Sequence, residues 1–374
     1  MKSMKSMKSM KRMSPGLLLF AVSLCLPLSC SEDGQAMGKT IDEVEIIPRD
    51  DTPGENAISY EQAVDIAEIT PLMEQKAKDF VDATQNEDRS LFNCVYVYSS
   101  ATSEYENAPK KLAARIYLLG YNGVYLSAGS SRLKNASSWL KDFIATASGL
   151  GMKVYATHYE DNMIYISETS AQEYLNQVIT YNRMVAFDQR FAGVSADLEP
   201  HTIKSDLGNG LVWNTANSMG VGKANDQLLE ITIDRLEYAR KILKMSGLKL
   251  QQALWCHNQK YFNEGKLSYG SIPQFTDVCD WVSLMAYSNS ASSIWNICSF
   301  NFEAADRDRS VNICVKTATN DEPSTTILPN GWDAMLSTMK ELREKGSAYK
   351  AFGGLDMFKY ASLEDMWEWT NDKN

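Results

Sequence analysis

The sequence predicts an α/β fold, a (β/α)8 TIM barrel with an N-terminal helical extension. Eight short strand-like runs alternate with helix-period stretches over roughly 270 residues, the pattern of such a barrel. No Gly-rich dinucleotide fingerprint follows a strand, and Gly220-Val221-Gly222-Lys223 lacks both the spacing and the hydroxyl residue of a phosphate loop. A doubly wound open sheet, the structural alternative, therefore lacks its usual markers. The composition, 44% apolar and 22% charged with 21 Gly and 10 Pro in 374 residues, excludes a collagen-like or wholly disordered chain.

Taken in order, residues 1–29 form a leader. Repeated Met-Lys-Ser triplets place Lys2, Lys5, Lys8, Lys11 and Arg12 before the apolar run Gly16 to Leu28. That run falls short of the ~20 residues that span a bilayer, so a secretory signal is expected, with a retained membrane anchor as the alternative. Leu26-Pro27-Leu28-Ser29-Cys30 resembles a bacterial lipobox, although Pro27 departs from the usual Leu. Ser31-Glu32-Asp33-Gly34 resembles the acidic tag of surface lipoproteins in Bacteroides-like bacteria. These resemblances imply lipidation of Cys30 and a lipid-anchored place at the outer membrane or cell surface. Each buried methylene of the acyl chains would contribute about 0.8 kcal/mol.

Residues 30–57 are polar, hold Pro48, Pro53 and Gly54, and read as a flexible tether with a reach of roughly 30 Å. Residues 58–90 read as helical. Ser59-Tyr60-Glu61-Gln62 is a capping-box pattern, and Thr70-Pro71 restarts a helix running to about Thr84. The barrel is expected over 91–374, with strands at 91–98, 122–128, 152–158, 192–199, 249–257, 280–287, 310–317 and 351–358. Leu112, Ile116 and Leu119, then Trp139, Leu140, Phe143 and Ile144, recur at helical spacing. Ser170-Ala171-Gln172-Glu173 is a further capping-box pattern, and helices are expected over Ala224 to Ser246 and Gly331 to Lys345. Trp281 and Trp332 are assigned to the core, and Trp367 and Trp369 to covering the barrel bottom.

The formal net charge is −10; taking the leader's five basic residues from 37 leaves 32 against 47 acidic, or −15. Such a body does not seek nucleic acid or anionic lipid. Once Cys25 leaves with the leader and Cys30 carries lipid, Cys94, Cys256, Cys279, Cys298 and Cys314 remain. Their number is odd and their spacing matches no zinc pattern, so buried free thiols are expected.

Strand alternation places Asp197 and Glu199 on one face, about 6.6 Å apart at Cα. Val194, Ala196 and Leu198 take the other face, toward the helices. Two carboxylates in one apolar-walled mouth repel, which raises one pKa and suits a general acid. On the sixth strand Ser283, Met285 and Tyr287 line the lumen, where the phenol can donate a hydrogen bond. The loop His201 to Asn225 is long enough to be functional, and its Trp213 suits a sugar platform or a packing role. Tyr98, Tyr159, Trp255, Asp356 and Tyr360 lie at or beside strand ends and suit a sugar cleft. His158, His201 and His257 end neighbouring strands, so Zn²⁺ binding is an alternative, but no paired-histidine motif accompanies them. Substrate hydrogen bonding is the favoured role for these histidines, with no metal and no cofactor.

Ala192 to Glu199 with Met285-Ala286-Tyr287 resembles glycoside hydrolase family 18, the chitinases and endo-β-N-acetylglucosaminidases. That family's fourth strand carries D-G-x-D-x-D-x-E and its sixth M-x-Y. Gly193, Asp197 and Glu199 are kept, whereas Ala192 and Ser195 replace two Asp residues and Ser288 follows the Tyr where Asp is common. The resemblance implies Glu199 as acid, Asp197 orienting the substrate's acetamido group as nucleophile, and Tyr287 holding that group. Asp197-Leu198-Glu199-Pro200-His201 is also similar to a poorly characterised group of bacterial barrels with a D-x-E-P-H strand, and Lys316 of this chain stands where that resemblance leads one to expect Glu. The expected activity is retaining, substrate-assisted hydrolysis of an N-acetylglucosamine-containing glycan by a monomer. The alternatives are an inactive glycan-binding barrel and a metal-dependent hydrolase.

Overall fold

The computed structural model describes residues 57–160, 164, 168–206, 210–214, 223–318 and 322–369. The leader, Cys30 and almost all of the tether lie outside the described residues. Among those described, no helix is long and apolar enough to cross a membrane.

Two helices precede the barrel, α1 (Tyr60–Ala67) and α2 (Pro71–Thr84). Both start where local chemistry places them. The Ser59 hydroxyl accepts from the Gln62 N–H while the Gln62 side chain accepts from the Ser59 N–H, and Thr70 caps Met73 ahead of Pro71. The barrel then runs β1 (Cys94–Val97), α3 (Ser99–Glu104), α4 (Pro109–Leu118), β2 (Gly123–Ser127), α5 (Ser130–Lys134), α6 (Ser138–Gly149) and β3 (Lys153–Glu160). Next come α7 (Glu168–Met184), β4 (Gly193–Asp197), α8 (Lys223–Met245), β5 (Lys249–Trp255), α9 (Asn258–Asn263), α10 (Ile272–Val278) and β6 (Trp281–Met285). The chain closes with α11 (Ala291–Ala304), β7 (Val311–Lys316), α12 (Trp332–Gly346), β8 (Phe352–Phe358) and α13 (Tyr360–Glu368). All eight strands are parallel and close in sequence order, β8 pairing β1.

The alternation read from sequence separates two cores. Val194, Ala196, Leu198, Val282, Leu284 and Ala286 pack outward against the helices. The lumen holds a second cluster, Cys94, Tyr96, Tyr125, Tyr155, Ala253, Trp281 and Cys314, bordered by Phe92, Tyr98, Tyr287 and Phe358. Gly193 is required here, because a Cβ on it would lie 2.1 Å from the Lys249 carbonyl oxygen of β5. The five described cysteines are free and buried, as expected.

Three expectations change. Helix α7 runs over Glu168–Met184, so Ser170 lies inside it and not at its start. Trp367 is buried, its indole N–H donating to the Met73 carbonyl of α2, but Trp369 is 60% exposed and covers nothing. Tyr360 is fully buried and donates to Glu364, so it lines no cleft. That Glu364 belongs to a buried knot in which Arg115 of α4 reaches Glu364, the Tyr105 hydroxyl and the Ala67 carbonyl, tying α13 to the N-terminal helices.

Candidate functional site

Asp197 ends β4, and Glu199 follows two residues later, just before a 3-10 turn over Pro200–Thr202. Both side chains are half-buried at the C-terminal mouth, where barrels of this kind carry their chemistry. The β3–β4 register adds a carboxylate that sequence alternation misses. A bulge between Thr157 and Tyr159 shifts the pairing, so Glu160 sits opposite Asp197. The extra residue turns Tyr159 outward into the fully buried outer core, so Tyr159 lines no cleft. Glu160 bonds to His158, 3.3 Å away, which holds its carboxyl below the usual range. The other ring nitrogen of His158 lies 2.9 Å from the Ser127 hydroxyl, placing this histidine on the β2–β3 side.

Across the mouth stand the tyrosines. Tyr98 lies parallel to Tyr96, ring centres 6.2 Å apart, with its edge against Phe358. Tyr287 packs 5.8 Å from Phe358, and the Lys316 ammonium sits 5.0 Å from the Tyr287 ring centre. Burial, then neighbouring Cys314 and Tyr96 and the Asp197 charge, push the Tyr287 phenol well above its ordinary pKa. Burial and then Asp197 do the same to Tyr98, with smaller effects from Glu160 and Glu199. Both phenols therefore keep their protons and can donate hydrogen bonds. Met285 ends β6, half-buried and in register with Trp255 and Cys314.

The β4–β5 side forms an aromatic wall. His201 stacks flat on Trp255, centres 4.6 Å apart and planes 6° apart, and its Nε2 lies 3.3 Å from Glu199 Oε2. Burial and then His257 lower the His201 pKa to about 4, so its ring is neutral near pH 7. His257 packs on Trp255 and Tyr261, and burial lowers its pKa too. Trp213 is only 3% exposed, edge-on to Trp255, with its backbone N–H donating to the Ile203 carbonyl. It is a packed wall that fixes Trp255, so of its two expected roles the geometry selects packing.

Asp356 does not line the open mouth. Its fully buried carboxylate accepts from the Cys94 N–H at 2.8 Å, the Asn312 amide at 2.9 Å, the Ser283 hydroxyl at 2.5 Å and the Tyr125 hydroxyl at 3.2 Å. Even with those donors, burial raises its pKa to about 6. Ser195, at a position where the resembled pattern carries Asp, is buried and donates to the Gln251 side-chain amide oxygen at 2.5 Å. Among the described residues no group of three or more His, Cys, Asp or Glu side chains is placed to hold a metal ion. The three histidines divide between the β2–β3 and β4–β5 sides.

No family model matches the chain, and no curated protein matches it in sequence. In structure it is similar to a family 18 chitinase from Pseudoalteromonas aurantia, with a TM-score of 0.46 and 14% identity over 74% of this chain and 96% of that one. It is similar as well to the PgaB (BpsB) glycoside hydrolase domain of Bordetella bronchiseptica, at TM-score 0.45 and 12% identity over 74% and 96%. A chitinase from Chromobacterium violaceum aligns at TM-score 0.43 and 11% identity, over 75% of this chain and all of its own.

Proposed function

We propose that the protein is a glycoside hydrolase acting on N-acetylglucosamine-containing glycans with retention of configuration. Its main support is the pair Asp197 and Glu199 at the mouth end of β4, faced by the protonated phenols of Tyr98 and Tyr287. In this reading the Asp197 carboxylate accepts from the substrate's acetamido N–H and turns the acetamido oxygen toward the anomeric carbon. That oxygen forms a bond to the carbon as the glycosidic C–O bond breaks, and Glu199 gives its proton to the leaving oxygen. The Tyr287 hydroxyl donates to the acetamido group and steadies it. Water then attacks the anomeric carbon from the face the leaving group vacated, forming a bond as the bond to the acetamido oxygen breaks and restores the acetamido group, and it loses a proton to Glu199. The aromatic wall of Trp255, His257 and Tyr261 supplies a face for sugar rings.

The test is reducing-end release from chitooligosaccharides, N-glycans and peptidoglycan fragments, by wild type beside Glu199→Gln. Product from wild type with at least a hundredfold loss in the variant is expected; equal turnover by both sinks the assignment. The second reading, a glycan-binding barrel without catalysis, draws on Ala192 and Ser195, which leave β4 with neutral residues beneath Asp197. It predicts saturable glycan binding and no product from either protein. Anchorage through Cys30 at the outer membrane or cell surface belongs to the same proposal.

A further inference from the structure

The turn Pro200–Thr202 does more than end the strand. It folds His201 back so that Nε2 lies 3.3 Å from Glu199 Oε2 while the ring lies flat on Trp255. Trp213 meets His201 edge-on, ring centres 6.5 Å apart, so the imidazole is walled on two sides. Its Nδ1 is buried and has no hydrogen-bond partner among the described residues. A neutral imidazole carries one proton and one lone pair, and here one nitrogen faces the carboxyl while the other faces inward.

We propose that His201 is the proton partner of Glu199, its Nε2 accepting a hydrogen bond from the protonated carboxyl and holding that proton in place for delivery. The role rests on the proposed reading of Glu199 as the acid, and His201 acts through Glu199 as a positioning residue. Of the two groups the imidazole is the one that burial keeps neutral. Burial penalises an imidazolium, and His257, which also packs on Trp255, adds like-charge repulsion. Tyr98, whose phenol keeps its proton and feels the Glu199 charge only weakly, does not compete for the acid's proton. When Glu199 protonates the leaving oxygen, its O–H bond breaks and the carboxylate is left against the Nε2 lone pair. That contact is unfavourable, so it raises the carboxylate's basicity for taking a proton from the attacking water in the second half of the cycle.

The chain has only three histidines, so each ring is assignable by single substitution. The experiment is a pH titration of the imidazole nitrogens by NMR in the full chain, in wild type and Glu199→Gln. Coupled titration is expected. In wild type Nε2 is unprotonated and the His201 curve follows Glu199, and Glu199→Gln displaces it by at least half a pH unit while His158 stays in place. Superimposed His201 curves, or a proton on Nε2 near neutrality, would overturn the proposal. This readout needs no glycan, so its outcome is separate from that of the hydrolase assignment. Where turnover is measured, His201→Phe should move the basic limb of the kcat/KM profile at least half a pH unit lower. His201→Gln, whose amide oxygen reaches the Nε2 position, should restore it. A shared loss in both variants with no movement of the limb points to a merely structural ring and refutes the role.

Discussion

Replacing Asp356 by Asn should flatten the pH dependence of folding stability. In the fold this carboxyl is raised from its ordinary 3.8 to about 6, because burial outweighs four hydrogen bonds that favour the anion. The folded chain therefore binds the proton more tightly than the unfolded chain. Its contribution to stability is fully present below about pH 3.8 and is lost as pH rises through about 6. At about 1.4 kcal/mol per pH unit, that loss comes to about 3 kcal/mol in all, of which about 2 kcal/mol falls between pH 4 and pH 7. Asn has no such proton. Its oxygen can take the Oδ1 position, where the Cys94 N–H and the Asn312 amide donate. Its amide nitrogen then meets the hydroxyls of Ser283 and Tyr125, which can turn to accept, and Tyr125 already has Cys94 as another partner. The variant should fold. It should be less stable than wild type near pH 4.5 by about 1–3 kcal/mol, with the gap closing or reversing by pH 7.5. Urea denaturation of both proteins at several pH values across that range measures the difference curve. A gap that stays constant to within about 1 kcal/mol would refute the reasoning.

The other predictions concern the packing, the site and the anchor. Arg115→Ala leaves Glu364, itself 4% exposed, without its cation and should cost about 3–5 kcal/mol in denaturant unfolding; a loss below about 1 kcal/mol would show that the knot does not hold α13. Tyr287→Phe keeps the ring that packs on Phe358 and under Lys316 but removes the phenol donor, so kcat/KM should fall roughly a hundredfold with an unchanged melting temperature. Unchanged kcat/KM would remove Tyr287 from the chemistry. Cys30→Ala should abolish fatty-acid labelling of the full chain in cells and release it from the membrane fraction; labelling that survives would place the lipid elsewhere.

What the sequence made legible followed from short-range rules. The eight strands lie within the predicted runs because apolar β-rich segments between helix-period stretches have few other ways to be buried. The one exception is Tyr159 and Glu160, which extend β3 two residues past its predicted end. The starts at Ser59 and Thr70 were readable because a cap is a bond between residues three apart. Alternation also sorted Val194 from Ser195 and Val282 from Ser283 correctly. It failed at β3, where one bulged residue reverses parity and brings Glu160 to the mouth in place of Tyr159. Nothing local in Lys153–Glu160 announces that bulge, since it is set by pairing with β4. Depth along the lumen was equally hidden. Asp356 faces inward as its parity requires, but whether it meets solvent depends on how the strands stagger around the barrel. Trp213 was undecidable for a similar reason, because its burial depends on Trp255 and His201, distant strand and loop partners.

The lumen beneath the mouth explains how a carboxylate pair at the end of β4 can stand on a strand whose deeper positions are neutral. Ala192 and Ser195 contribute no charge, and Ser195 is tied to Gln251 of β5. The buried carboxylate instead sits on β8, where it gathers donors from β1, β2, β6 and β7 at once. One side chain thereby cross-links five of the eight strands, with Trp281 donating in turn to the Tyr125 hydroxyl. The same arrangement keeps two acidic groups apart in the barrel. On β1 Tyr96 stands between Cys94, which bonds Asp356, and the mouth end of the strand, so the aromatic layer lies between the mouth and the buried hub. A carboxylate directly beneath Asp197 on β4 would have pressed its pKa upward by like-charge repulsion. Moved to β8 and held in a full set of donors, the buried charge supports the barrel, and Asp197 and Glu199 stand apart from it at the mouth with Glu160 and His201 beside them.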